Sequence, residues 1–278
     1  KPKARKEAVM YIIQSFGLSQ RRASVLINLS RNTVRYKPKP DNDAEIRKRI
    51  KELAEQRKRF GYRRVHIFLK REGVVINHKR TERIYREEKL ALRIRRRKKL
   101  ESQARIEIVK ADRANELWAM DFLHDVLYNG RKLRFLPIID TYTKECFRIE
   151  VDTSICGKRV CTVLSQIAAV RGLPSRIVVD NGPEFISNAL DAWAYERGVK
   201  LHFIRPGKPV DNAYMESFNG KFRDEGLNLH WFMSIGHARD ISEDYRIDYN
   251  NERPHSSLGD LTPSEFMRLE EKTAVGIL

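Results

Sequence analysis

From about residue 112 onward, apolar residues occur in short runs instead of recurring at the spacing of a helix. Two of these runs, ELWAMDFLHDVLYNG and RKLRFLPIID, meet at Asn129-Gly130, a dipeptide that favours the tight turn of a β-hairpin. The run TYTKECFRIEVD predicts a third strand. This pattern limits the second part of the chain to folds that contain a sheet, starting with consecutive antiparallel strands.

After the third predicted strand, helices and strands alternate. The predicted elements are a helix over 158–171, a β-branched strand RIVVD, a helix over 187–198, a strand KLHFI and a helix beginning near Asp211. Antiparallel strands followed by alternating helices and strands describe an α/β domain over 112–230 with a mixed five-stranded sheet. This order matches the ribonuclease H-like arrangement.

Three acidic residues reach the edge of this predicted sheet from separate elements. Asp121 lies within the first predicted strand, Asp180 at the carboxyl end of a later strand, and Glu216 on the helix that follows. Ligands of open α/β sheets bind at the carboxyl ends of strands, so the three carboxylates can converge there. Carboxylate oxygens suit Mg²⁺, and two such ions about 3.5–4 Å apart support phosphodiester strand transfer. We therefore expect this triad to hold two Mg²⁺ (or Mn²⁺) ions.

Other charged residues near the triad have competing interpretations. Arg223 follows Glu216 by seven residues, two helical turns, so it can contact a substrate phosphate from the same helix face; the alternative is an exposed arginine without a role. We interpret the neighbouring acids as structural, although Asp140 can also face the site and Asp211 is a candidate helix cap. These neighbouring acids are Asp125, Asp140, Glu184, Asp211, Asp224 and Glu225.

Positive charge is concentrated at the front of the chain. Residues 1–110 contain 34 lysines and arginines and 12 acidic residues, a net charge of +22, whereas the net charge of the whole chain is +18. The remainder is mildly acidic. This segregation indicates a part that binds a polyanion joined to a part that concentrates carboxylates.

The cysteines do not indicate a metal or disulfide site. The three that occur, Cys146, Cys156 and Cys161, have no zinc-finger spacing, which argues against a zinc finger, and we expect them to fill core space. No signal peptide or apolar run of membrane length is evident, so we expect a cytoplasmic protein.

Residues 1–38 predict a helix-turn-helix. Gly17 ends the first predicted helix, Ser19 caps the second and Ser30 caps the third. The third helix would enter the major groove of DNA, although a three-helix bundle without DNA is the alternative. Its candidate DNA-binding residues are Arg31, Asn32, Thr33 and Arg35.

Residues 42–100 predict a second helical DNA-binding domain. Asn77 is a candidate cap for its last helix, which carries Lys79, Arg80, Arg83 and Arg86. A basic linker follows and would lie along phosphates, the alternative being a solvated tether. The candidate contacts of the linker are Arg95, Arg96, Arg97 and Lys98.

The chain resembles the insertion-sequence-three family of bacterial transposases, whose catalytic core is shared with retroviral integrases. The resemblance covers nearly the whole chain and is carried by GYRRVHIFLKREG, NHKRTERIYREEKL, NELWAMDF, VVDNGPEF, PGKPVDNAYMESFNGKFRDE and YNNERPHSSLGDLTP. It implies that Asp121, Asp180 and Glu216 are the metal-binding triad and that Arg223 is the basic residue following the glutamate. It also implies that the chain is the second half of a frameshifted product, which fits Lys1 as a residue that does not initiate translation.

By this resemblance we expect a bacterial, nucleoid-associated DNA transposase that binds the terminal inverted repeats of its element and the target DNA. It would nick an end to expose a 3′ hydroxyl, attack another phosphodiester and pass through a circular intermediate. We expect at least a dimer, no membrane contact, no nucleotide cofactor, and a turn-rich extension over 231–278. The alternatives are a metal-dependent nuclease on the same fold and a non-catalytic helix-turn-helix regulator.

Overall fold

The computed structural model describes residues 2–37, 43–92, 110–205 and 212–274. The chain divides into two compact units, Lys1–Arg49 and Ile50–Leu278. The predicted linker contacts Arg95, Arg96, Arg97 and Lys98 and the predicted cap Asp211 lie outside the described residues.

The first unit contains three short helices, α1 (Pro2–Phe16), α2 (Gln20–Leu26) and α3 (Arg31–Arg35). They pack around Val9, Ala23 and Val34. The predicted cap of α2 is confirmed, because the hydroxyl of Ser19 accepts the N–H of Arg22. Ser30 also precedes its helix, but its hydroxyl accepts no helix N–H, so that predicted cap bond is wrong; α3 is instead held by its buried Val34.

Helix α4 (Ala44–Gln56) begins in the first unit and ends in the second, where α5 (Tyr62–Arg71) and α6 (His78–Glu87) follow. Their apolar positions recur at helical spacing, so Val65, Leu69 and Ile84 are buried together with other residues of these helices. Asn77 caps α6 as predicted, because its side-chain oxygen accepts the N–H of Lys79 at 2.9 Å.

A mixed sheet forms the centre of the second unit. Its strands are β1 (Leu117–Met120), β2 (Leu123–Val126), β3 (Lys132–Asp140), β4 (Cys146–Asp152), β5 (Arg176–Val179) and β6 (Lys200–Phe203). Strand β3 pairs antiparallel with β1, β2 and β4, whereas β5 pairs parallel with both β1 and β6. The hairpin predicted at Asn129-Gly130 joins β2 to β3 and is therefore confirmed.

The sheet has six strands among the described residues rather than the predicted five, because the first predicted strand is interrupted after Met120. Asp121 consequently lies beyond the end of β1, not within a strand. The two parts of the interrupted strand, β1 and β2, pair with β3 in one continuous register. That register puts Asp121 opposite Pro137, a residue that has no N–H to donate. The N–H of Phe122 is also taken by the Asp121 carboxylate, at 2.8 Å.

Helices cover both faces of the sheet, since side chains of β1, β3 and β5 alternate between two apolar cores. On one face lie α7 (Gly157–Arg171) and α8 (Asn188–Glu196), and on the other α9 (Ala213–Glu225) and α10 (Ile235–Asn251). Ala238, Tyr245 and Tyr249 of α10 belong to the same core as the sheet, so part of the 231–278 segment packs directly on it. A last helix, α11 (Pro263–Ala274), follows.

The three cysteines differ in how deeply they are buried. Cys146 is buried and Cys161 half-buried, but Cys156 is exposed at the start of α7, so the expectation of core filling is wrong for Cys156. Within the described ranges, no helix has the length and apolar character needed to span a membrane.

Candidate active site

Asp121 and Asp180 stand in register at the ends of two neighbouring parallel strands. Strands β1 and β5 pair Ala119 with Val178, and two further residues along each strand bring Asp121 opposite Asp180. Side chains alternate across a sheet, so each aspartate lies on the same face as the residue two positions before it. Ala119 and Val178 both belong to the core beneath α9. The two half-buried carboxylates therefore lie side by side on that face.

Helix α9 brings Glu216 to the same face of the sheet. Met215, Phe218 and Phe222 bury one side of this helix in the core that contains Ala119. The exposed Glu216 lies in the first turn of α9, and Asn219 follows it by three residues, on the same side of the helix. The Asn219 side-chain N–H donates to a carboxylate oxygen of Asp121 at 2.8 Å. This hydrogen bond fixes the helix against the strand end.

The surroundings of Asp121 disfavour its ionised form. Burial raises its pKa to about 6, and the carboxylates of Asp180 and, more weakly, Glu216 act in the same direction. Hydrogen bonds from Phe122 and Asn219 oppose the rise. An oxygen-rich site with mutually repelling carboxylates fits a hard divalent cation. Among the described residues, however, no three acidic, histidine or cysteine side chains already lie close enough together to hold a metal ion.

The turn after β5 holds the Asp180 carboxylate through its own backbone. The N–H of Gly182 donates to Asp180 at 2.9 Å. A Cβ atom added to Gly182 would lie 2.9 Å from that same oxygen, so any larger residue would displace the carboxylate. Asn181 anchors the turn by donating to the carbonyl of Ile204 at 2.8 Å. These contacts explain the Asp-Asn-Gly sequence in structural terms.

A cleft of about 550 Å³ opens beside Asp180. Phe122 stacks on Phe185 with ring centroids 5.0 Å apart, and the Arg134 guanidinium lies 4.2 Å from the Phe122 centroid. Arg134 also pairs with Glu184 in the turn after β5. The sequence analysis did not single out Phe122 or Arg134, because the residues that they contact in the turn after β5, Phe185 and Glu184, are distant from them in the chain.

Arg223 and the neighbouring acids take different positions. Arg223 is exposed and donates to the carbonyl of His124 at 3.3 Å. Asp140 is structural, as predicted, since it is buried and accepts the backbone N–H groups of Asn115, Tyr142 and Thr143. The remaining described acids also make structural contacts: Asp125 accepts its neighbour's N–H, and Glu184, Asp224 and Glu225 pair with arginines.

The candidate DNA-binding residues of the helical modules are largely solvent-facing. On α3, Arg31, Asn32, Thr33 and Arg35 are exposed around the buried Val34. On α6, Lys79, Arg83 and Arg86 are exposed and Arg80 is half-buried. Two of the α6 arginines pair with glutamates of their own helix, Arg83 with Glu87 at 3.0 Å and Arg86 with Glu82 at 2.6 Å.

Comparison with known proteins places this site in a family. Family models for the integrase core domain match residues 111–209 and 197–263, and a model for an HTH-like domain matches 40–98. An uncharacterized 31.7 kDa protein of insertion element IS407 from Burkholderia multivorans is 47% identical over 264 residues, 95% of each chain. The putative transposase InsK of insertion sequence element IS150 from Escherichia coli is 32% identical, over 82% of this chain and 84% of its own.

The chain belongs to the insertion-sequence-three family of transposases. This transposase is a polynucleotidyl transferase with an integrase-type core. A solved simian T-cell lymphotropic virus intasome, in complex with PP2A regulatory subunit B56 gamma, matches 78% of the transposase and 73% of its own chain at 16% identity, with a TM-score of 0.50. This likeness shows the fold alone, which is the predicted ribonuclease H-like core preceded by helical modules.

Proposed function

We propose that this transposase binds the terminal inverted repeats of its element, nicks each end to expose a 3′ hydroxyl and joins that hydroxyl to target DNA. One observation carries the proposal: Asp121 and Asp180 stand in register at adjacent strand ends, beneath the helix that carries Glu216. An arrangement of paired carboxylates beside an open cleft suits chemistry on a phosphodiester.

Asp121, Asp180 and Glu216 would hold two divalent cations, Mg²⁺ or Mn²⁺. Their oxygen donors suit either ion, and a bound cation would offset the burial and the neighbouring carboxylates that together raise the pKa of Asp121. Such ions supply Lewis acidity that activates an attacking oxygen and stabilises a leaving one. The chain's own contribution is to hold the carboxylates in place, through Asn219 at Asp121 and Gly182 at Asp180.

Arg223 would position a substrate phosphate. Its guanidinium is exposed, two turns after Glu216 on α9, and its observed contact is one long hydrogen bond to a backbone carbonyl. A charge-assisted bond to phosphate is stronger than a bond of that kind. We assign Arg223 to this role on geometry and charge.

The helical modules would bind the DNA ends. Two ends must be held together, which requires at least a dimer. The exposed residues of α3 and α6 would contact DNA, and the basic linker would follow the phosphates. In full, these residues are Arg31, Asn32, Thr33, Arg35, Lys79, Arg80, Arg83, Arg86, Arg95, Arg96, Arg97 and Lys98.

Asp180→Asn tests the function directly. The variant should bind element-end DNA like the wild type but lose both cleavage and joining in Mg²⁺ or Mn²⁺, because it removes one carboxylate of the pair. Asp191→Asn, an exposed change on α8, is the matched control. A substrate with a pre-cleaved end separates joining from hydrolysis. Strand transfer by Asp180→Asn at the wild-type rate would reject the metal assignment.

A further inference from the structure

A second cleft, of about 880 Å³, lies in the second unit and shares no lining residue with the cleft beside Asp180. One wall comes from the starts of α5 and α6, and the other from α9 and the segment that follows α10. Glu216 and Lys221 are five residues apart on α9, which turns the helix by about 140° between them. This cleft is therefore separate from the carboxylate site. Six of the residues that line it are Tyr62, Arg63, Lys79, Lys221, Arg253 and Ser256.

The two walls are joined through one carboxylate. Glu225, at the end of α9, accepts two hydrogen bonds from Arg253, at 2.6 and 2.8 Å, and one from Arg64 of α5 at 2.7 Å. Only 2% of the Arg253 side chain is exposed, so this pairing is protected from water. Two guanidinium groups thus share a single negative charge. The centre of the cleft keeps an excess of positive charge.

Lys221 adds to that excess, because the carboxylate that attracts it, Glu225, already pairs with two arginines. It precedes Glu225 by one helical turn, but within the described part of the chain no hydrogen-bond acceptor lies in reach of its ammonium group. Burial and the nearby Arg253 lower the pKa of this half-buried lysine to about 8. A half-buried ammonium that makes no hydrogen bond to the described residues favours a bound anion.

Further cations lie on the opposite wall, at the starts of α5 and α6. The exposed Arg63 donates only to the Tyr62 hydroxyl, at 3.3 Å, among the described residues, and the exposed Lys79 has no acceptor there. Two carboxylates also line the cleft. Glu82 is paired with Arg86, and Asp260 lies at the exposed rim. The cleft therefore presents cations from both walls, and they outnumber its carboxylates.

We propose that this cleft binds the phosphodiester backbone of one DNA strand, at a site apart from the catalytic carboxylates. The inference rests on the proposed function, which supplies the DNA. Several cations spread over two walls match a chain of phosphates better than they match a single anion. The exposed hydroxyl of Ser256 offers a further donor to a phosphate oxygen. The cleft volume is that of pockets for drug-sized ligands, which fits a few nucleotides of one strand.

The test measures DNA affinity of the full chain at several salt concentrations, using a fluorescein-labelled single strand of mixed sequence and its duplex. In the double variant Lys221→Gln with Arg63→Gln, the slope of log affinity against log salt should fall by about 1–2, since each phosphate contact contributes about 0.7–0.9. Affinity should weaken equally for all sequences. Ser256→Glu, which adds a negative charge at an exposed position, should weaken binding without removing a packed side chain.

Lys158→Gln combined with Arg113→Gln is the matched control, because it removes the same charge from exposed positions outside the cleft. Equal salt slopes for the control and the cleft variant would overturn the proposal. So would competition by polyglutamate as effective as that by unlabelled DNA of equal charge. These binding readouts do not require catalysis. If the wild type failed to cleave or join, the proposed function would fail while the salt slopes still decided the role of the cleft.

Discussion

Asn219 donates a 2.8 Å hydrogen bond to Asp121, so a side chain of the helix that carries Glu216 holds a carboxylate at the end of β1. The amide orientation follows from this contact, because only its N–H₂ group can donate to a carboxylate. The opposite end of the amide, the Asn219 oxygen, is buried without a hydrogen-bond partner in the described structure. Among the described residues, the Asp121 carboxylate is thus the one hydrogen-bond partner of the Asn219 side chain.

Replacement of Asn219 should therefore weaken metal-dependent activity. Asn219→Ala leaves Asp121 without its support, and loss of a residue that orients a metal ligand typically costs 10–100-fold in metal affinity or activity. We expect the Mg²⁺ concentration for half-maximal single-turnover cleavage to rise by about that factor. Asn188→Ala, at an exposed position of α8, is the control. An unchanged Mg²⁺ dependence would show that Asn219 has only a structural role.

Asp121→Asn should stabilise the metal-free protein at neutral pH. Burial and the neighbouring carboxylates raise the pKa of Asp121 from 3.8 to about 6, so its ionised form destabilises the folded state. The protonated form of Asp121 has no such effect, so the free energy of unfolding is highest, with respect to this group, at low pH. It falls as the pH rises from about 4 through about 6. The free energy of unfolding at pH 7 should increase by about 1–3 kcal/mol in the variant and change little at pH 4.

Denaturant titrations in chelator at the two pH values measure this difference. Mg²⁺ should raise the stability of the wild type by binding the folded state, and do so much less for the variant. A variant that was less stable than the wild type at pH 7 without metal would show that the carboxylates do not repel one another.

His255 should make the second unit sensitive to acid. This buried imidazole lies 3.1 Å from the carbonyl oxygen of Tyr249, which it can reach as a neutral donor, and burial together with Arg253 lowers its pKa to about 3. The unfolded chain binds a proton below about pH 6.5, but the folded chain does not. The free energy of unfolding therefore has its full value, with respect to His255, above that pH. It falls by up to about 1.4 kcal/mol per pH unit below it.

His255→Gln should flatten the stability profile between pH 6.5 and 5, as followed by thermal or urea unfolding. The exposed His202 on β6 provides the matched change, His202→Gln, which should leave the slope unaltered. Identical slopes for all three proteins would mean that another group controls stability in this range.

Arg223→Ala should slow joining while leaving Mg²⁺ dependence near the wild-type value. A charge-assisted hydrogen bond to phosphate contributes about 1.5–3 kcal/mol, which corresponds to a rate loss of about 10–100-fold. Arg223→Lys should recover part of this rate because it keeps the charge but not the bidentate geometry. Single-turnover joining of a pre-cleaved end gives the measurement, with the exposed Arg113→Ala as control. Equal rates for both alanine variants would assign Arg223 to its contact with His124.

The sequence by itself determined the elements and the order of the acids along them. Alternation and the Asn129-Gly130 turn located the hairpin, and Asn77 marked the start of α6, because these signals depend on residues close in the chain. The position of Asp180 after a β-branched strand likewise required only local pattern.

Only the tertiary structure decided features that depend on pairing across the sheet and between distant segments. The register of β3 put Pro137 opposite Asp121 and divided a strand that its own sequence predicted as continuous. Glu225 pairs with Arg64, 161 residues before it, and with Arg253, 28 residues after it. No local pattern distinguishes those arginines from others. Chain folding, rather than composition, selects which charges are compensated and which remain for a ligand.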